Sequence, residues 1–122
     1  MTRLLIVEDD DHQRLLYREA FEEDGFEVLE ASDARAALAC VAHDPPDAVV
    51  LDVNLPGMDG LEVLTRIHNL KRTLPVIIHS AYTAYEKHYV SWIASAYVVK
   101  SSNLDELKRA VLTALDDARG EF

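Results

Sequence analysis

The sequence predicts an α/β domain whose mostly parallel sheet is covered by helices on both faces. Three observations predict it. Short apolar runs alternate with longer amphipathic segments along the whole chain. Three of the short runs are apolar at every position, the pattern of strands buried on both faces rather than one. The segments between them repeat apolar residues at helical spacing. Five rounds of strand then helix give the β-α alternation of a layered α/β domain.

The first strand is read at Leu4-Leu5-Ile6-Val7, and the helix after it carries the stripe Leu16, Tyr17, Ala20 and Phe21. Asp24-Gly25 marks the turn into a second strand at Val28-Leu29, followed by a helix striped with Ala34, Ala37, Leu38 and Val41. Pro45-Pro46 precedes the third strand, Ala48-Val49-Val50-Leu51. Pro56-Gly57 then leads to a helix with Leu61, Leu64 and Ile67 inward. Pro75 opens the fourth strand, Val76-Ile77-Ile78, and a weakly patterned helix is expected within Tyr85 to Ile93. The fifth strand is Tyr97-Val98-Val99, and the last helix aligns Leu104, Leu107, Val111, Ala114 and Leu115. Ser102 with Asp105 has the spacing of a capping box for that helix.

A chain of 122 residues is the length of one domain, with neither repeat nor linker, so residues 1–122 are read as a single domain with a core of about 3–118. Its 22 acids against 12 Lys and Arg give a formal net charge of -10. That balance opposes direct nucleic-acid binding, which neutralises phosphates with cations, and an anionic membrane surface. Cys40 is the single cysteine, which excludes an internal disulfide and a cysteine-built zinc site. His12, His43, His68, His79 and His88 lack the paired spacing of a metal site, so surface or core roles are expected for them. No apolar run approaches the length of a membrane span, and a cytoplasmic setting is expected.

Open α/β sheets bind ligands beyond the carboxyl ends of their strands. Those ends carry Glu8-Asp9, Asp52, Ser80 and Lys100. Carboxylates packed together repel one another unless a cation sits among them, and an all-oxygen set suits Mg²⁺, with Mn²⁺ an alternative. A carboxylate beside such a cation can act as a nucleophile toward phosphorus, while Lys100 and Ser80 serve the phosphoryl oxygens. Asp10 and Asp11 fit the first turn or cap of a helix.

The residues Val7-Glu8-Asp9-Asp10, Leu51-Asp52-Val53-Asn54-Leu55-Pro56-Gly57-Met58-Asp59-Gly60, Ser80-Ala81 and Tyr97-Val98-Val99-Lys100 resemble the receiver domain of two-component response regulators, including its chemotaxis members. The resemblance spans about Leu4 to Leu115. It implies a flavodoxin-like, doubly wound five-stranded parallel sheet in the order 2-1-3-4-5 with five helices. It also implies that Asp52 is the phosphoacceptor, that Glu8, Asp9, Asp52 and the backbone carbonyl of Asn54 hold the metal, and that Lys100 pairs with the phosphoryl group. Ser80 and Tyr97 would be the switch residues.

The implied function is a signalling switch rather than an enzyme with an external substrate. A sensor histidine kinase or phosphotransfer protein would supply the phosphoryl group, in a Mg²⁺-dependent step that the domain catalyses on itself. A downstream protein would read the face formed by the fourth helix, fifth strand and fifth helix, as a monomer or a phosphorylation-linked dimer. Tyr82, Tyr85, Tyr89, Trp92 and Tyr97 cluster on that stretch, either as local packing or as a docking surface. Output is then protein–protein contact, or the chain is one domain of a longer regulator.

Ser101 follows Lys100 where the family has proline, Ile93-Ala94 replaces its Gly-Ala, and Ser80 stands where threonine is commoner. Other functions fare worse. A phosphatase with an aspartate nucleophile needs a second aspartate two residues on, and Asn54 stands there. A flavin carrier needs a loop that attracts phosphate, whereas Glu8-Asp9-Asp10-Asp11 repels one. The remaining alternative is a receiver-like adaptor that is never phosphorylated.

Overall fold

The computed structural model describes residues 1–81 and 94–119. Strands β1 (Arg3–Val7), β2 (Glu27–Ala31), β3 (Ala48–Leu51), β4 (Val76–Ser80) and β5 (Ala96–Val99) alternate with helices α1 (Asp11–Glu23), α2 (Ala34–His43), α3 (Gly60–Leu70) and α4 (Asp105–Ala118). All strands pair in parallel, in the order β2-β1-β3-β4-β5. The helix expected within Tyr85 to Ile93 lies outside the described residues.

Side chains alternate across a strand, so a run apolar at every position feeds a core on each side. Leu5, Val7, Val49, Leu51 and Ile78 pack against α2 and α3 through Ala37, Val41, Val63, Leu64 and Ile67. Leu4, Ile6, Val50, Ile77 and Val98 meet Tyr17 and Phe21 of α1 and Leu107, Val111 and Leu115 of α4 on the other face. Leu16 and Leu61, placed on buried stripes by spacing alone, are exposed. In α3, Val63 takes the buried place beside Leu64 and Ile67.

Helix starts are fixed locally. Asp10 caps α1 through the amides of His12 and Gln13, Asp33 caps α2 through Ala36, and Asp59 caps α3 through Leu61. The capping box expected from Ser102 and Asp105 does not form. Asn103 Oδ1 instead accepts the Asp105 amide at 2.8 Å, and Ser101 Oγ accepts the Asn103 amide at 3.2 Å.

Strand β1 lies between β2 and β3, so the chain leaves it first toward one edge and then toward the other. At this switch point the loops after β1 and β3 open side by side. Val7 is in register with Leu51, and the Asp52 amide bonds the Val7 carbonyl at 3.0 Å. Residues 8 and 52 therefore emerge next to each other.

Candidate functional site

The acids at the strand ends do converge. Glu8, Asp9 and Asp52 each place a carboxylate oxygen within 4.8 Å of the others. Glu8 and Asp52 are buried, 2% and 5% exposed, while Asp9 is open to solvent. Backbone bonds fix the placement: the Glu8 amide bonds the Ala31 carbonyl at 3.0 Å, and Arg14 Nη1 of α1 donates to the Glu8 carbonyl at 2.8 Å.

Lys100, just past β5, reaches across β4 and β3 to this cluster. Its ammonium donates to Glu8 Oε1 at 2.7 Å, Asp52 Oδ2 at 3.0 Å and Gln13 Oε1 at 3.0 Å. The Asn54 amide donates to the other Asp52 oxygen, Oδ1, at 2.9 Å. Burial raises the Glu8 carboxyl pKa and the Asp52 charge adds to the rise, against the opposing bond from Lys100. Burial by itself would lower the Lys100 ammonium, but the bonds and charges of Glu8 and Asp52 together hold it above its ordinary value.

The loop after β3 is held by close packing. Gly57 adopts φ +84°, a conformation that favours glycine. A Cβ on Gly60 would stand 2.6 Å from Val53 Cβ and 2.7 Å from its backbone, so α3 starts directly on the residue after Asp52.

Ser80 ends β4 fully buried, and its carbonyl accepts the Lys100 amide at 2.7 Å. Tyr97 pairs with Ile78 in the sheet and is half-buried against the α2–α3 core. Two residues beside the cluster are not among the site residues read from the sequence. Gln13 reaches Lys100 from α1. His79 is buried on β4 with its ring edge against Tyr17, centroids 5.1 Å apart, and its Nδ1 has no hydrogen-bond partner among the described residues. Burial, and next the Lys100 charge, lower the His79 pKa to about 4. Helical spacing from the Asp10 cap could have flagged Gln13; nothing local marks His79.

The donor set is oxygen throughout, with three acids against one ammonium. Asp9 takes no part in the lysine's bonds. This is the chemistry of a hard divalent cation such as Mg²⁺.

Residues 4–112 match the family described as the response regulator receiver domain. The chain belongs to that family. Receiver domains of this kind are the signalling switches of two-component systems. This receiver is 34% identical to sporulation initiation phosphotransferase F of Bacillus subtilis, over 89% of its own length and 90% of that protein's. It is 37% identical to the regulatory protein AtoC of Escherichia coli and 38% identical to the response regulator MprA of Mycolicibacterium vanbaalenii. Those matches cover 94% and 98% of this chain but only 25% and 54% of the two regulators.

Among solved structures, the response regulator TrrA of Thermotoga maritima in complex with Mg²⁺-BeF superposes with a TM-score of 0.88 at 38% identity. That match covers 93% of this chain and 99% of the other. TrrA bound to the histidine kinase ThkA matches with a TM-score of 0.87 at 39% identity, over 94% and 99% of the two chains. The receiver fold and its sheet order, expected from the sequence, are those found here. Among the described residues, no helix is long and apolar enough to cross a membrane.

Proposed function

We propose that residues 1–122 form one receiver domain, with its core at about 3–118, that accepts a phosphoryl group on Asp52. The observation that carries this reading is the Asp52 carboxylate, buried beside Glu8 and Asp9, with the Lys100 ammonium 3.0 Å from its Oδ2. Glu8, Asp9, Asp52 and the Asn54 carbonyl would hold Mg²⁺, which supplies charge neutralisation for the incoming phosphoryl oxygens.

The chain's own groups do the rest. An Asp52 oxygen attacks phosphorus of a phosphohistidine; a P–O bond forms, the P–N bond breaks, and the leaving imidazole takes up a proton. Lys100 turns an N–H toward a phosphoryl oxygen, and the Ser80 hydroxyl donates to another. The acyl phosphate carries about two negative charges where the carboxylate carried one. Recruiting Ser80 and Lys100 to those charges biases the β4–β5 side of the sheet, where Tyr97 serves as the second switch residue.

The donor is a sensor histidine kinase or phosphotransfer protein, by likeness to TrrA solved with ThkA. The output is contact with a downstream protein through β5, α4 and the segment between β4 and β5, in a cytoplasmic setting, with no direct binding of nucleic acid or membrane. The domain acts as a monomer or a phosphorylation-linked dimer.

Incubation with acetyl phosphate and Mg²⁺ tests the reading. Intact mass should rise by one phosphoryl group in the wild type and not in Asp52→Asn or without the metal. An unchanged wild-type mass would make the domain an adaptor that is never phosphorylated.

A further inference from the structure

We propose that Gln13 is a positioning residue for Lys100. Its side-chain carbonyl, oriented by the Tyr17 hydroxyl, tethers the ammonium at the acid cluster and keeps one N–H aimed at Asp52. The tether rests on geometry alone. Its consequence for phosphoryl transfer rests on the function proposed above.

An ammonium has three N–H donors and no acceptor. Among the described residues Lys100 meets three oxygens: Glu8 Oε1 at 2.7 Å, Gln13 Oε1 at 3.0 Å and Asp52 Oδ2 at 3.0 Å. Its donors are all used, and Gln13 is the single neutral acceptor of the set. The orientation of the Gln13 amide follows from its neighbours. A donor-only ammonium must face the oxygen, and the Tyr17 hydroxyl donates to the same oxygen at 3.0 Å. Two donors converging on one atom leave no place for the amide NH₂ there.

Both ends of this link are anchored. The Gln13 backbone N–H donates to the capping carboxylate of Asp10 at 3.0 Å, which fixes the start of α1 under the side chain. Tyr17 lies one turn further along the same helix face and is buried, its ring edge packed on His79 of β4. A line of contact thus runs from the sheet core through Tyr17 and Gln13 to the lysine.

The tether matters because Asp52 Oδ1 is occupied by the Asn54 amide, leaving Oδ2 facing the ammonium. On phosphorylation the lysine must pass from a carboxylate oxygen to a phosphoryl oxygen without leaving the site. A flexible four-carbon stem held only by the reacting Asp52 and by Glu8, itself a proposed metal ligand, would lose its register as the Asp52 carboxylate becomes an acyl phosphate. A neutral acceptor outside the reacting set retains the ammonium and adds no fourth anion to repel the phosphoryl group.

The test compares the wild type with Gln13→Met, which keeps the length and removes the acceptor, with Gln13→Glu, and with Tyr17→Phe. The first readout is the ¹⁵N–¹H NMR signal of the Lys100 ammonium, assigned by its absence in Lys100→Arg. It should be present in the wild type and Gln13→Glu, weaker in Tyr17→Phe and lost in Gln13→Met. The second is the rate of phosphoryl uptake from acetyl phosphate at saturating Mg²⁺. Losing one hydrogen bond to a charged group should slow Gln13→Met about tenfold. Gln13→Glu should also be slow despite its retained signal, because its charge opposes the donor. A wild-type ammonium signal in Gln13→Met overturns the tether, whatever the kinetics. A lost signal with wild-type uptake overturns the positioning role. A wild type with a held ammonium that takes up no phosphoryl group refutes the acceptor reading and the positioning role together, while the signal still reports the tether separately.

Discussion

The Lys100 ammonium lies 2.7 Å from Oε1 of Glu8, closing a partly buried ion pair between residues 92 positions apart. Glu8 is 2% exposed, so its charge has almost no water to lean on. The same ammonium serves Asp52, and together they form a cluster in which one cation answers two buried acids with a third, Asp9, beside them.

Removing that cation leaves two buried carboxylates facing each other. Lys100→Met should therefore lower the stability of the metal-free protein by about 3 kcal/mol, the scale for orphaning a buried charge. Added Mg²⁺ should recover part of the loss, since a ligand bound only by the folded state stabilises it. Urea denaturation with and without Mg²⁺ measures both. Equal stability of variant and wild type in the absence of metal would mean that the ion pair does not hold the cluster.

Asp52→Asn acts in the opposite direction. It takes one negative charge from an acid-rich site and keeps the shape, so the metal-free variant should be at least as stable as the wild type, by up to about 1 kcal/mol. The stabilisation gained on adding Mg²⁺ should shrink at the same time, because one proposed ligand is lost. Thermal melts across a Mg²⁺ titration read both effects. An undiminished metal response would remove Asp52 from the ligand set.

His79 gives the protein an acid-sensitive core. The folded state keeps the ring neutral down to about pH 4, against an ordinary value of 6.5. The unfolded chain binds the proton first, so this component of stability is full above pH 6.5 and is lost as the pH falls toward 4. Between pH 7 and 5 the wild type should lose about 2 kcal/mol relative to His79→Leu, in metal-free buffer. The difference between the two cancels the carboxylates common to both. Parallel pH profiles would mean that the ring takes up its proton as readily in the folded protein as in the unfolded chain.

Gly60→Ala should disturb stability and site together. The added methyl would stand 2.6 Å from Val53 Cβ and 2.7 Å from the Val53 backbone, neither of which can swing away. A cost of about 1 to 3 kcal/mol is expected, with slower phosphoryl uptake because Val53 adjoins Asp52. Normal uptake in a destabilised variant would separate the helix start from the site.

Much of this was legible in the chain. Runs such as Leu4–Val7 and Ala48–Leu51 are apolar at every position, which by itself requires a sheet covered on both sides. Asp52 with Pro56-Gly57 and Gly60 carries a loop whose glycines the structure uses, one for its positive φ and one for close approach. Reading by spacing failed where a helix face is decided by its neighbours. Leu16 fits an apolar stripe as well as Tyr17 does, yet only Tyr17 and Phe21 turn inward on α1. The cap of the last helix also escaped, because Ser102 and its neighbour Asn103 are both competent acceptors and only the loop path selects Asn103.

The sequence by itself determined the β-α alternation, the two apolar faces of the sheet and the acids and lysine at the strand ends, since these follow from periodicity and from where each strand stops. Only the tertiary structure decided that Gln13, bound by Tyr17, reaches Lys100, that His79 is buried with no partner for Nδ1 among the described residues, and that one ammonium spans Glu8 and Asp52. Those relations join α1, β4 and β5 across the sheet. Local preference encodes the shape of each element; which side chains share a desolvated space depends on how the elements stack.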